Sequence, residues 1–303
     1  MPTLRLALLT TLLWTACASA PGGERAPTER ATPAPSPLAL TWLGVAGWRL
    51  DAGPVTVLVD PYLSRPALDA PLVSDPAAIA AHAPARAQLV LVSHSHADHL
   101  LDAPAVAAAT GADLLGTLST ARVARASGLG GDRVIIVTGG EDLAFDGFSV
   151  RVIPSLHSLL DHKHAVRGEI PPAPELPMRF GDYEEGGTLA FLVRAGGREV
   201  LFLSTANFIE RELDGLRPDV AVVATGLRQE VHDYTCRLMR ALGGPPLVIA
   251  NHFDDWRAAP ADTADPGDDV RAFVAEVARC SPGTRVVIPR PFATLANPAL
   301  APR

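Results

Sequence analysis

The chain is 303 residues long and carries 33 acidic against 26 basic side chains, a formal net charge of −7. That length supplies ample core for one large domain, and the acidic balance excludes nonspecific nucleic-acid binding through a basic surface. Lys163 is the only lysine, so positive charge is carried almost wholly by arginine.

The opening residues, MPTLRLALLTTLLWTACASA, set Arg5 ahead of an apolar stretch from Leu6 to about Ala16. The stretch is too short to span a membrane as a helix and is built like a bacterial export signal. Cleavage after Ala16-Cys17-Ala18 or Ala18-Ser19-Ala20 would release a soluble protein. Alternatively, Thr15-Ala16-Cys17 resembles a lipoprotein box, with Trp14 where such boxes usually carry Leu. We take 1–17 as the signal and Cys17 as the lipid-modified residue, which places the protein in the bacterial cell envelope, held to the membrane by an N-terminal lipid. Residues 18–37 are rich in Pro, lack apolar periodicity and read as a solvated tether. The domain then runs from 38 to 303.

LALTWLG, WRLDA and VTVLVD predict short strands separated by Gly-containing turns, a meander. A helix near 75–84 leads to the apolar strand QLVLV. Helices follow at 103–110, where Asp102-Ala-Pro104 makes a start signal, and at 118–127. Strands are expected at RVIIV, FSVRVIP, TLAFLVR, EVLFLS, DVAVVA, LVIA and RVVIP, with helices near 229–242 and 268–280 among the later ones. Strands and helices in both halves imply an α/β domain of two packed sheets covered by helices. Cys236 and Cys280 fall in the predicted helices; an oxidising envelope would let them pair, and two separately buried thiols fit equally well.

The stretch VSHSHADHL holds three of the chain's nine histidines within six residues. In an extended segment His94 and His96 point to one side and can grip one metal. Asp98 and His99 follow where the chain turns and can serve a second position. Imidazole nitrogens and a carboxylate suit zinc, and iron or manganese less exclusively.

HSHADH resembles the His-x-His-x-Asp-His signature of the metallo-β-lactamase superfamily, and further matches fall in that family's order. WLGVAGWRLDAGPVTVLVDPYLS is similar to its opening hairpins, with Asp60 at the acidic residue that ends them. VIPSLHS puts His157 at the third ligand of the first metal, and VIANHFDDW puts His252 at the late histidine of the second. TWLG, DPYLS and HFDDW look closest to the branch of sugar-phosphate lactonases and the N-acylphosphatidylethanolamine phospholipase D-like enzymes. The resemblance covers about residues 38–290. It implies an αββα four-layer sandwich in which His94, His96 and His157 hold one metal and Asp98, His99 and His252 a second. Asp60 would fix the tautomer of a ligand histidine; read from the residues alone it could equally cap a turn.

One departure stands out. Where the family carries a Gly-Asp pair whose aspartate bridges the metals, this chain has Ser204-Thr205; Asn207 is neutral and Glu210 lies well downstream. Losing a shared carboxylate leaves more uncompensated positive charge in the pocket, so one tight zinc and a weak or empty second site are expected. Two metals with water filling the gap is the alternative.

The resemblance implies a zinc-dependent hydrolase in which a metal-bound hydroxide attacks an ester, lactone or phosphodiester of a small molecule or lipid. Asp98 would orient the water and accept its proton. A metal-binding envelope protein without catalysis, its second site decayed, is the competing expectation, and an iron redox enzyme of the same fold is a third. His162, Lys163 and His164 follow the third ligand and, with His232, are candidate substrate contacts set against plain surface positions. The long Pro-rich segment 168–187 is the candidate for substrate selection.

Overall fold

A computed structural model describes residues 37–161, 164–165, 168–260 and 266–296. The export signal over 1–17 with Cys17, the tether before Pro37, His162, Lys163 and the side chain of His164 lie outside the described residues.

The predicted meander forms β1 (Leu38–Gly44), β2 (Gly47–Ala52) and β3 (Val55–Val59), antiparallel in sequence. Three strands then add in parallel to β3: β4 (Leu89–Leu91), β5 (Asp113–Gly116) and β6 (Val134–Ile136). The helices between them are α1 (Pro76–His82), α2 (Ala97–Leu100), α3 (Ala103–Thr110) and α4 (Leu118–Ala126). The second sheet opens with β7 (Asp142–Phe145) and β8 (Phe148–Pro154). A two-stranded pair follows, β9 (Leu159–Leu160) and β10 (His164–Ala165). The second sheet resumes with β11 (Leu189–Ala195), β12 (Arg198–Leu203), β13 (Val220–Ala224), β14 (Leu247–Asn251) and β15 (Arg285–Val287), interleaved with α5 (Glu210–Leu213), α6 (Tyr234–Ala241) and α7 (Gly267–Cys280). A last strand, β16 (Thr294–Ala296), returns to the first sheet beside β1, so each sheet has seven strands.

Residue alternation explains the layering. Leu38, Leu40 and Trp42 of β1 point the same way and meet Val150, Val152, Phe191, Phe202, Val222 and Ile249 of the second sheet in one buried cluster. Their neighbours face outward onto helices. Leu58, Val90 and Leu114 pack under Ile79, Val106 and Val123 of α1, α3 and α4. Leu201, Val223 and Val248 pack under Leu213, Leu238 and Phe273 of α5, α6 and α7. The parallel strands β13 and β14 are buried along their whole length, as expected of strands covered on both faces. The result is the α/β, helix–sheet–sheet–helix sandwich that the sequence implies. Among the described residues no helix is long and apolar enough to cross a membrane.

Two details add to what was expected. Strands β5, β7, β9, β10 and β16, two to four residues long, lie outside the expected set; each is too short to carry a period and is held by its neighbours' ladders. Asp102 precedes α3 but makes no side-chain cap; its carboxylate instead accepts from Leu63 N, Ser64 N and Ser64 Oγ at 2.6, 2.8 and 2.6 Å. It therefore pins the DPYLS turn rather than the helix start.

Cys236 of α6 and Cys280 at the end of α7 form a disulfide across a sequence separation of 44 residues, which decides between the two readings of these cysteines. Closing a loop of that length removes denatured-state entropy worth about 2–4 kcal/mol. The double replacement Cys236→Ser/Cys280→Ser is expected to lower unfolding stability by about that amount in urea titrations; an unchanged midpoint would show that the α6–α7 packing holds without the link.

Candidate metal centre

The candidate ligands gather because the chain leaves each sheet at the same edge. Asp60 follows β3, His94 and His96 follow β4, His157 follows β8, Ser204-Thr205 follows β12 and His252 follows β14. Carboxyl ends of strands are the usual place for sites in such sheets. Hydrogen bonds stitch the two sheets together here: Trp48 Nε1 donates to Asn251 Oδ1 at 2.9 Å, and His252 N donates to Val45 O at 3.1 Å. Asp60 and His252 both hold left-handed backbone, with φ of 43° and 49°, a conformation that non-glycine residues rarely adopt outside sites where surroundings enforce it.

Two groups of side chains emerge, His94 with His96 and His157, and Asp98 with His99 and His252; within each, the candidate ligand atoms lie no more than 4.8 Å apart. Asp98 and His99 sit on the single turn α2 rather than on an open loop. His94 Nε2 and His96 Nδ1 are 3.0 Å apart, close to the roughly 3.3 Å between two nitrogens of a tetrahedral zinc with bonds of 2.0–2.1 Å. His157 Nδ1–H donates to Ser158 O at 2.9 Å, which leaves its Nε2 lone pair free for a metal. The donor set and spacing fit a zinc-like ion at the first group.

Beneath both groups lies one buried carboxylate. Asp60 accepts from Ser93 N at 2.7 Å and from Ser93 Oγ at 2.7 Å, and from His99 Nδ1 at 3.0 Å. Because the Ser93 hydroxyl spends its proton on Asp60, it must accept at its contact with His94 Nδ1, 3.1 Å away. Both imidazoles thus carry their proton on Nδ1 and present Nε2 to the cavity. Ser93 was not singled out in the sequence; its position between the strand and the first histidine was the available signal.

The two groups differ in charge. Burial, reinforced by neighbouring imidazoles, pushes His94 well below its ordinary range. Burial likewise takes His96 down to about 3 and His157 to about 4, so these imidazoles are neutral at neutral pH, each with one nitrogen lone pair available. Burial also opposes the charged form of His99, but Asp98 and Asp60 on either side outweigh it and raise the pKa to about 10. Burial would raise Asp98 as well, yet His99 and hydrogen bonds from His252 and His99 hold its carboxyl well below the usual range. Asp98 Oδ2 lies 3.5 Å from His99 Nε2 and 3.3 Å from His252 Nε2. A metal at the second group must displace the His99 proton; at the first it need not.

At the position of the missing bridge, Thr205 faces the same cavity, but its hydroxyl is engaged elsewhere. Thr205 Oγ1 accepts from Ser158 N at 2.9 Å and shares a hydrogen bond of 2.7 Å with Ser158 Oγ. Ser158 Oγ in turn accepts from Ala206 N at 2.7 Å. Thr205 therefore braces the segment that carries His157. Ser204 Oγ is buried, and Asn207 turns to the His157 carbonyl at 3.0 Å.

The remaining candidates divide. His232 is exposed, lies outside the cavity lining and offers only its carbonyl, to Arg237, so the expectation of a substrate contact is corrected: it starts α6 on the surface. The segment 168–187 does reach the cavity, through Phe180, Gly181, Tyr183 and Glu184. It is anchored by the buried Ile170, Met178 and Tyr183 and by Glu185 O, which accepts from Ser95 N at 2.8 Å.

With that geometry in view, comparisons with known proteins are informative. A family model described as the beta-lactamase superfamily domain matches residues 55–253. A curated relative, a UPF0173 metal-dependent hydrolase of Methanopyrus kandleri, is 28% identical over 258 residues, 83% of this chain and 96% of the relative. A novel metallo hydrolase from the archaeon Ignicoccus hospitalis has a similar structure, with a TM-score of 0.56 and 19% identity over 86% of this chain and 98% of its own. CmlA, a diiron β-hydroxylase from Streptomyces venezuelae, gives a TM-score of 0.55 and 18% identity over 88% of this chain and 54% of its own. At these identities the two structures show a shared fold.

In Asp60→Asn the oxygen can still serve Ser93 Oγ and His99 Nδ1, but the amide N–H₂ then faces the Ser93 N–H, a buried donor against a donor that disturbs the loop carrying His94 and His96. Affinity for zinc, measured by competition with a chromogenic chelator, is expected to fall about 10–100-fold. Unchanged affinity would reduce Asp60 to a residue that merely finishes β3.

Proposed function

The chain belongs to the beta-lactamase superfamily, and from that premise we propose a metal-dependent hydrolase that uses one tightly held zinc and a water to cleave an ester, lactone or phosphodiester. The observation that carries this reading is the placement of Asp98. Its side chain is 13% exposed and sits in the wall of the cavity that the three histidines of the first group also line. A purely structural metal site has no use for a partly open, ionised carboxylate beside it.

Zinc on His94, His96 and His157 would supply a Lewis acid and bring the pKa of a bound water to roughly 7. The protein's own groups do the rest. Asp98, held ionised, orients the water and takes its proton. The water oxygen bonds to the carbonyl carbon or phosphorus, the bond to the leaving oxygen breaks, and Asp98 returns the proton to that oxygen. His252 and the protonated His99 face the same space and offset developing negative charge. Three imidazoles favour zinc over manganese, with iron the nearest competitor. The Cys236–Cys280 disulfide supports an oxidising compartment, in keeping with export and a lipid on Cys17.

A second reading, a metal-binding envelope protein without turnover, draws on Thr205, which supplies no carboxylate to join the two groups. Two measurements separate them. Elemental mass spectrometry of protein purified without chelator is expected to give about one zinc per chain, rising toward two in Thr205→Asp; two metals in the unaltered chain would overturn the single-site assignment. Asp98→Ala is expected to keep the first metal while lowering kcat on ester and phosphodiester probes by about 10²–10⁴-fold. Metal-loaded protein without activity that Asp98→Ala removes would favour the non-catalytic reading.

A further inference from the structure

The cavity over the metal groups has a volume of about 680 Å³, a size typical of pockets that enclose a small organic molecule. Its lining combines the polar histidine groups with an apolar set. Besides the histidines it is lined by Leu160, Phe180, Leu227, Phe253 and Trp256, together with Ala206 and Ala224. Phe180 and Trp256 stack with ring centroids 5.2 Å apart and planes 10° from parallel, one on segment 168–187 and the other after β14. Of the seven large hydrophobic side chains exposed among the described residues, three rim this one cavity: Leu160 at 38%, Phe180 at 39% and Leu227 at 44%. Such residues scattered singly need no explanation, whereas several gathered at the mouth of a pocket mark a contact surface. Leu227 is moreover held out by left-handed backbone, φ 65°, a conformation that costs a branched side chain energy and puts it at the rim.

Charge narrows the class. Among the described residues no arginine or lysine lines the cavity, while Asp98, Glu184 and Asp254 do. Asp254 is neutralised from behind: its side chain is fully buried, accepts from Val45 N at 3.0 Å and lies 3.9 Å from Arg65 Nη2. Among the described residues, a phosphate or carboxylate away from the reacting bond would meet carboxylates and apolar walls, with no guanidinium to receive it. An apolar body instead gains from every carbon buried, roughly 0.8 kcal/mol per methylene.

Resting on the hydrolase reading, we propose that the substrate is an uncharged ester or lactone with an apolar acyl body, its carbonyl at the histidines and its chain against Leu160, Phe180, Leu227 and Trp256. Hydrolysis of p-nitrophenyl esters from acetate to octanoate by the zinc-loaded mature chain tests this directly, with bis-p-nitrophenyl phosphate as the anionic comparison. The octanoate-to-acetate ratio of kcat/KM is expected to be at least about 10. It should fall by at least about 3-fold in Phe180→Ser and Leu227→Ser, while Ile136→Ser, which removes an exposed apolar side chain outside the cavity, leaves the ratio where it was. A flat series, or a preference for the phosphodiester, overturns the proposal while leaving the hydrolase reading intact. If no ester is cleaved, binding decides without turnover, read by fluorescence of the apolar dye N-phenyl-1-naphthylamine. Saturable binding that octan-1-ol displaces and Phe180→Ser weakens supports the apolar occupant even though the hydrolase reading has failed; absence of saturable binding overturns it.

Discussion

The buried carboxylate of Asp60 is the constraint on which the site depends. It accepts three hydrogen bonds, from Ser93 N, Ser93 Oγ and His99 Nδ1, and so fixes in one place the loop leaving β4 and the orientation of one imidazole in each candidate metal group. A carboxylate so deep is costly unless every lone pair is used. The fold meets that cost by ending β3 and β4 side by side, with Asp60 N bonded to Leu91 O at 2.8 Å. The left-handed turn at Asp60 then aims the side chain back under the histidines. Strand pairing, tautomer and metal geometry are thereby one coupled arrangement.

That arrangement explains what could be read from the sequence. His94, His96, Asp98 and His99 were visible because local spacing alone brings them together, and the two sheets were visible because alternating apolar residues mark each long strand. His157 and His252 needed the family's order of elements, since nothing in SLHS or NHFDD separates a ligand from a surface histidine. Ser93 and the Thr205–Ser158 brace were not legible: a serine and a threonine gain their roles only when β4, β8 and β12 converge. Asp102 correctly marked the start of α3, but what its carboxylate binds was not legible. An Asp before Ala-Pro is a sound helix-start signal, yet the unpaired amides of Leu63 and Ser64, distant in sequence, compete for the same carboxylate and win.

Thr205 stands where the family resemblance implies a bridging carboxylate, and its neutrality shifts the balance between the two groups of candidate ligands. The first group consists of three imidazoles whose burial keeps them unprotonated; it asks nothing of a metal but desolvation. The second holds a proton on His99, secured by carboxylates on both sides. A bridging aspartate would add negative charge to draw in a second ion and expel that proton. Thr205 adds none, and its hydroxyl is already committed to Ser158. The His99 proton can then take over part of what a second ion would provide, as a fixed positive charge facing Asp98.

In the proposed reading, the apolar walls and a single-metal site reinforce one another. Removing water from around a charge strengthens each remaining electrostatic interaction, because the local dielectric falls. An apolar acyl body filling the space between Phe180, Leu227 and Trp256 would displace solvent from the face of the three histidines, so a lone divalent ion and the His99 cation would act on the reacting carbonyl with less screening. A charged substrate would bring its own hydration into the pocket and weaken both. On that proposal, the same side chains that would select an uncharged substrate would also raise the electrostatic power of a centre without a bridging carboxylate.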